Sequence, residues 1–451
     1  MAEKIQARPL FSGRELTALL WPLVVEQLLA VTVGMADVVM VSSAGEAAVS
    51  GVSLVDMINV LIINIFAALA TGGAVVTSQL IGARKPQRAC QSAWQLVWVS
   101  GLLGLAVAAL ALVFSKGLIR LFFGSITDDV FDACMIYLCI SAVSYPFLAV
   151  YNSCAALFRS MGNSRISMQV SMGMNLFNIA GNAVGVYLLH LGVAGVALPT
   201  LISRAGACVV MLVRLRDPHL PVTLAGQRRW QPDFALIRNI LHIGIPSALE
   251  NSMFQLGRVL VVSIISAFGT VQIAANAVAN NLDSLGCIPG QAVSLAVITV
   301  VGQCIGAGDR RQATGYAKKL VGIAYLAMIA LNTVILLTLP WTLKMYNVSA
   351  ETLQLSTWLV FIHDGFAMLL WPVAFVLPGA LRAAGDVRFT MVVSVFSMWA
   401  FRILFSWILG SMLGWGAIGV WVAMLLDWVF RAAFFLWRFF SGRWLRHSAL
   451  V

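Results

Sequence analysis

Apolar runs long enough to cross a bilayer recur along this chain, and polar residues gather in the short stretches between them. Twelve runs stand out, at 16–41, 50–80, 91–114, 130–156, 166–189, 193–213, 240–266, 272–304, 317–338, 354–380, 389–411 and 416–437. About 20 residues of helix are needed to span ~30 Å of hydrocarbon. The pattern therefore predicts an all-α integral membrane protein with twelve transmembrane helices. Alternating strand patterns of about ten residues are absent, which argues against a β-barrel. The first run is long and carries Glu26 and Asp37, so it reads as a retained span and not as a cleavable signal.

Sliding the chain against itself shows that one half is written twice. At an offset of 224, Pro22 meets Pro246, Glu26 meets Glu250, Gly45 meets Gly269, and QLIGARKPQRA (79–89) meets QCIGAGDRRQA (303–313). RSMGNSRISM (159–168) meets RAAGDVRFTM (382–391), and GVAGV (192–196) meets GAIGV (416–420). The expected organisation is an N-terminal six-helix bundle (1–213), a polar cytoplasmic linker (214–238) and a C-terminal six-helix bundle (239–451). An even number of spans gives both halves the same orientation, so these are parallel repeats around a central cavity, a plan common among secondary transporters.

Composition agrees: 60% of residues are hydrophobic and 10% charged, with mean hydropathy +0.91. The formal net charge of +11 would suggest nucleic acid only if the bases formed a patch. They do not. With the N-terminus inside, the inner segments hold 23 of the Lys and Arg residues, and the outer connections only Lys116, Arg120 and Lys344. This positive-inside split places both termini in the cytoplasm of a cell inner-membrane protein, and no nucleic-acid partner is expected. The expected partners are the lipid bilayer and small organic substrates, and a monomer is expected. The seven cysteines lack CxxC spacing and read as buried free thiols. A formal GxGxxG, GWGAIG (414–419), follows no strand and reads as tight helix packing. No HExxH or P-loop pattern occurs, so neither an enzyme nor a cofactor is expected.

Ionisable groups inside spans cost ~2.5–3.5 kcal/mol or more unless they face a partner or a cavity. Asp427 and Arg431 are four apart, the spacing of an intrahelical pair. Glu26 and Glu250 are repeat equivalents, each four residues after a proline, which points to a shared scaffold role. Arg258 and Arg402 are available to neutralise acids of the second half, where Asp364 also lies. Asp37 differs from all of these, because its repeat position is the apolar Val261. A carboxylate in a dry cavity can take a proton near neutral pH or hold Na⁺, so Asp37 is the candidate coupling residue and, with sodium, the metal ligand. Asn178 and Asn182, one turn apart on span five, and Thr200 on span six, beside Ser203 and the kinking Pro199, are candidate partners. Met172, Met174, Tyr145, Tyr151 and Phe177 are candidate linings of a substrate cavity.

The segments WPLVVEQLLAVTVGMADVVMVSSAG, SQLIGARKPQRA, LFRSMGNSR, GVAGVALPTLISR, IGIPSALENSMFQLGRVLVVSIISAFGT and LPGALRAAGDVRFTM together resemble the signature segments of the multidrug and toxic compound extrusion (MATE) family. The resemblance covers about 15–440 and implies export of organic, often cationic or aromatic, compounds by antiport with Na⁺ or H⁺. It implies a cation-coupling role for Asp37, with Asn178 and Thr200 at matching polar positions. Asn182 stands where several members have a second acid. Phe254 and Trp371 stand where the NorM-like branch carries acids, so the chain is placed nearer the DinF-like branch. The alternatives are a flippase for a lipid-linked precursor, which needs several bases to hold diphosphate, and a passive channel or non-transporting membrane scaffold.

Overall fold

The computed structural model describes residues 9–42, 45–124, 126–226, 231–346 and 348–447, with the side chains of 35–39, 42 and 447 outside the description. Among the described residues every regular element is helical. The first half comprises α1 (Gly13–Ser42), α2 (Glu46–Gly82), α3 (Pro86–Val113), the short α4 (Ser115–Phe123), α5 (Asp128–Ser160), α6 (Ser164–Ala183) and α7 (Ala194–Arg214). The second comprises α8 (Phe234–Ser266), α9 (Thr270–Gly286), α10 (Ile288–Gly306), α11 (Arg310–Lys344), α12 (Ala350–Trp371), α13 (Leu377–Ala383), α14 (Val387–Ser397) and α15 (Gly416–Phe440).

Eleven of these elements are long and apolar enough to span a membrane. The remaining crossing is α6, prolonged by a π-helical turn over Val184–Leu188. It is more polar because Ser164, Ser167, Ser171, Asn175, Asn178 and Asn182 lie along it. The expected twelve spans are therefore present, with α9 running into α10 through Cys287 and α12 into α13 through a π-helical turn at Pro372–Val376. The apolar pattern places the residues of α4 within an outer connection. Its Leu121 and Phe122 are exposed beside Arg120, the layout of a short interfacial anchor.

Sequence chemistry sets the helix starts. Asp233 accepts from the backbone N–H groups of Ala235 and Leu236 to cap α8, Asp309 caps α11 through Gln312, and Ser349 caps α12 through Thr352. Each satisfies donors that a helix start leaves open. The repeat is also legible in the backbone. Gly45 and its equivalent Gly269 turn at φ 101° and 98°, and Gly192 and Gly416 both turn at φ 57°. Such angles favour glycine, so the turn before α15 explains part of GWGAIG without any nucleotide.

The two halves interlock at the end that carries the basic connections. Leu16, Leu19 and Leu23 of α1 belong to the buried cluster of the second half. Ile240 and Ile243 of α8, the repeat equivalents of Leu16 and Leu19, belong to that of the first half together with Leu236. Helices α2 and α10 cross so closely that a Cβ on Gly82 would lie 1.9 Å from the Gln303 carbonyl oxygen, and one on Gly306 1.9 Å from that of Gln79. The side chains complete the exchange. Gln79 Nε2 donates to the carbonyl of Ala383 and Gln303 Nε2 to that of Ser160, both at 2.7 Å. Small residues that let backbones approach are the usual basis of helix association in lipid. The linker packs on the first half, where Val222 and Leu224 are buried and Gln95 donates to the Gln231 carbonyl at 2.6 Å.

Candidate functional site

In the N-terminal bundle α6 packs between α1 and α7. Its contact with α7 is close because Gly181 faces Pro199 and Gly185 faces Gly195, where an added Cβ would approach within 2.6 Å and 2.4 Å. This approach lets short polar side chains meet. Asn178 Nδ2 donates to Thr200 Oγ1 at 2.8 Å, and Thr200 Oγ1 donates to the Val196 carbonyl at 2.9 Å. Asn182 Nδ2 donates to Asn178 Oδ1 at 3.2 Å, and Ser203 Oγ to the Thr200 carbonyl at 3.0 Å. The structure thus brings Asn178, Asn182 and Thr200 into one buried chain of bonds. Asn175 instead donates to Ser171 at 3.4 Å. Asp37 lies on α1, and its side chain is outside the described residues.

A second polar group lies in the same bundle. Asp56 on α2 accepts from Asn59 Nδ2 and from the Tyr137 hydroxyl, each at 3.1 Å, and Tyr145 OH donates to Asn59 Oδ1 at 2.8 Å. Tyr145 is completely buried and Tyr151 nearly so, both within the bundle core. Both side chains are taken up in the bundle core, the Tyr145 hydroxyl by its bond to Asn59. Met174 and Phe177 do line a cavity of about 440 Å³, with Val170, Ile202 and Ser203. Met172 is exposed.

Between the halves lies another cavity, of about 370 Å³. Gln27 and Asn64 come from the first half, and Asn251, Phe254, Gln255 and Trp371 from the second. Phe375 stacks on Trp371 at 4.9 Å and meets Phe254 edge-on at 6.2 Å, and the Arg431 guanidinium sits 5.6 Å over Phe254. Among the described lining residues the single acid is Glu250, and it is already paired, with Arg382 Nη1 at 3.2 Å and Ser394 Oγ at 2.8 Å. Glu26 is bound alike, by Arg159 Nη1 at 3.4 Å and Ser167 Oγ at 2.9 Å. The twin acids therefore tie α1 to α5 and α6, and α8 to α13 and α14.

Two neighbouring sets of ionisable groups lie within the second half. Asp427 accepts from Arg431 Nε at 2.8 Å, as the four-residue spacing predicts, and also binds the Ser397 hydroxyl, with Arg402 Nη1 3.8 Å away. Arg402 does then neutralise an acid. Arg258, expected to do the same, makes no ion pair among the described residues and lines a small cavity with Arg402, Asn276 and Asn280. Asp364 lies against His363, with Asp283 beside both. His363 did not figure among the sequence candidates, because a single histidine in an apolar run has no sequence partner to mark it. Its neighbour Asp283 is 80 positions away.

A family model, MatE, matches residues 22–184 and again 246–408. The chain belongs to the MatE family. The two matches are 224 residues apart, the same offset as the internal repeat, so each half is one MatE unit. The MatE chain is 26% identical over 440 residues to "Uncharacterized transporter YisQ" of Bacillus subtilis (strain 168), covering 96% of this chain and 95% of that protein. It is 25% identical over 448 residues to "Probable multidrug resistance protein NorM" of Thermotoga maritima, covering 97% and 94%. Among solved structures, one described as the outward-facing conformation of a multidrug resistance MATE family transporter of the MOP superfamily superposes with a TM-score of 0.87. It shares 20% identity over 97% of this chain and 96% of that one. The chain is accordingly a multi-pass membrane protein of a family of multidrug efflux transporters.

Proposed function

We propose that this MatE protein exports organic compounds from the cytoplasm by antiport with H⁺ or Na⁺, and that Asp37 carries the coupling ion. The observation that carries this reading is the Asn182–Asn178–Thr200 chain, built on the helix packed against α1. Neutral amides and a hydroxyl can orient a carboxylate or supply oxygen to Na⁺ without adding charge. Protonation or ion binding at Asp37 removes a buried charge, and a change of that kind selects between conformations. The repeat supports the assignment from another side, since Glu26 and Glu250 are occupied in scaffold bonds while Asp37 has no twin.

The inter-half cavity supports flat aromatic substrates. Phe254, Trp371 and Phe375 offer ring faces that accept apolar, aromatic or, by cation–π attraction, organic cationic groups. The absence of an unpaired acid among its described lining residues separates this cavity from one that selects cations by ion pairing. It also fits the placement nearer the DinF-like than the NorM-like branch. A lipid-linked precursor would need a cluster of bases, whereas Arg382, Arg402 and Arg431 already have acidic neighbours.

The test is transport in proteoliposomes of one fluorescent aromatic cation, under an imposed pH gradient, an imposed Na⁺ gradient, or neither. Uphill movement under one gradient alone is expected and names the ion. Equal flux with neither gradient would show a passive channel.

A further inference from the structure

Inside the C-terminal bundle, three side chains from two helices converge: Asp283 on α9, and His363 and Asp364 on α12. Their donor atoms all lie within 4.8 Å of one another. His363 Nδ1 is 2.8 Å from Asp364 Oδ1 and 3.2 Å from Asp283 Oδ1. With bonds of ~2.0–2.2 Å, ligand atoms lie about 3.3–3.6 Å apart at tetrahedral angles and about 2.8–3.1 Å apart at octahedral ones, so these separations fall in or near the range for neighbouring ligands of one small ion. All three residues are buried, with exposures of 6%, 5% and 0%. The edges of Trp421 and Trp428, at 5.8 Å and 5.0 Å from the imidazole, keep water away.

A further oxygen points the same way from a different helix. Asn332 on α11 is completely buried. Its Nδ2 donates to the carbonyls of Met328 at 2.8 Å and Gly286 at 3.2 Å, which fixes the amide and leaves Oδ1 without a hydrogen bond. That oxygen aims at the cluster: the Cβ position of Gly286 is 2.3 Å from Asn332 Oδ1 and 3.5 Å from Asp364 Oδ1. Asp283 Oδ1 and Asp364 Oδ2 also lack a hydrogen-bond donor. Buried acceptors without a partner cost about 1–3 kcal/mol each, so three around one small volume call for a positive occupant. Arg402 and Arg431 approach Asp427, and neither acid of the cluster is ion-paired to a guanidinium among the described residues.

We infer that Asp283, His363, Asp364 and the amide oxygen of Asn332 form a binding site for one divalent transition-metal ion. Two carboxylates with a 2+ ion are neutral overall, which suits a dry interior, and imidazole with carboxylate oxygen suits Zn²⁺, Co²⁺ or Mn²⁺ better than Na⁺. The ion would tie α9, α11 and α12 together. Asn276 and Asn280, one and two turns before Asp283, line a cavity of about 50 Å³ with Trp421 and Arg402, giving the site a polar approach. This site is separate from the one assigned to Asp37.

The experiment is Co²⁺ titration of the purified, metal-stripped full chain in detergent, read by visible d–d absorption and by metal content after desalting. The expected result is one Co²⁺ per chain, displaced by Zn²⁺, with a rise in melting temperature. Asp364→Asn and His363→Gln should lose the absorption band, and Asn332→Leu should weaken binding by about tenfold or more. Asp37→Asn should bind as wild type does, which keeps the outcome independent of the coupling assignment. Absence of Co²⁺ and Zn²⁺ binding by the folded wild-type protein would overturn the inference and leave the cluster to protons. Binding that survives in a folded Asp364→Asn variant would overturn it equally.

Discussion

Glu26 and Glu250 act through what they hold. Each accepts from an arginine at the end of a neighbouring helix and from a serine one or two turns into the next. Because both carboxylates are mostly buried, Glu26→Gln and Glu250→Gln should each destabilise the protein by about 1.5–3 kcal/mol, the value of hydrogen bonds to charged groups. The two losses should be similar, since each acid holds the equivalent arginine and one serine. Thermal unfolding in detergent measures both, and transport per folded molecule should remain gradient-driven. Thr200→Val removes the acceptor of Asn178 and should cost about 0.6–2 kcal/mol by the same assay, with a fall in coupled transport. The scaffold role of these acids was legible in the sequence because a repeat supplies an internal comparison. The partners Arg159 and Arg382 were visible only as inner bases. The Asp283–His363 contact was not legible at all, because nothing in local spacing joins α9 to α12. The burial of Tyr145 was not legible for a related reason: an aromatic residue reads alike whether it faces a cavity or a core.

At the scale of elements, the crossing of α2 and α10 is the tightest described contact between the halves. Gly82 and Gly306 leave no room for a methyl group, so Gly82→Leu or Gly306→Leu must push the helices apart. Overpacking of this kind costs about 1–3 kcal/mol or more. Since the crossing closes the end that carries the basic connections, either variant should favour the state open there. The measurement is spin-label distance across that end, which should lengthen in both variants and by similar amounts. Gln79→Leu and Gln303→Leu should shift the same distance by a smaller amount, each by leaving a buried carbonyl unpaired. The order and number of spans were readable from apolar runs alone. The short α4 was not, because nine residues with an exposed apolar face look like any connection. Nor were the π-helical turns, which alter hydrogen bonding without altering composition.

For the whole molecule, the exchange of Leu16 and Leu19 for Ile240 and Ile243 means that neither half closes its core alone. Residues 1–213 expressed without the rest should be degraded or aggregate, and co-expression with 214–451 should restore a folded complex, as size-exclusion chromatography would show. The repeat in the sequence puts a boundary there, and the cores cross it. At this scale the protein is two MatE units clasped at one end, with an aromatic cavity between them and an asymmetric carboxylate, Asp37, in the first. The most direct test of that account is efflux of a fluorescent aromatic cation by wild type and Asp37→Asn in matched proteoliposomes under the same ion gradient. The account predicts uphill transport by the wild type, and none by a folded Asp37→Asn protein that still binds the dye. Uphill transport by Asp37→Asn at the wild-type rate would contradict it.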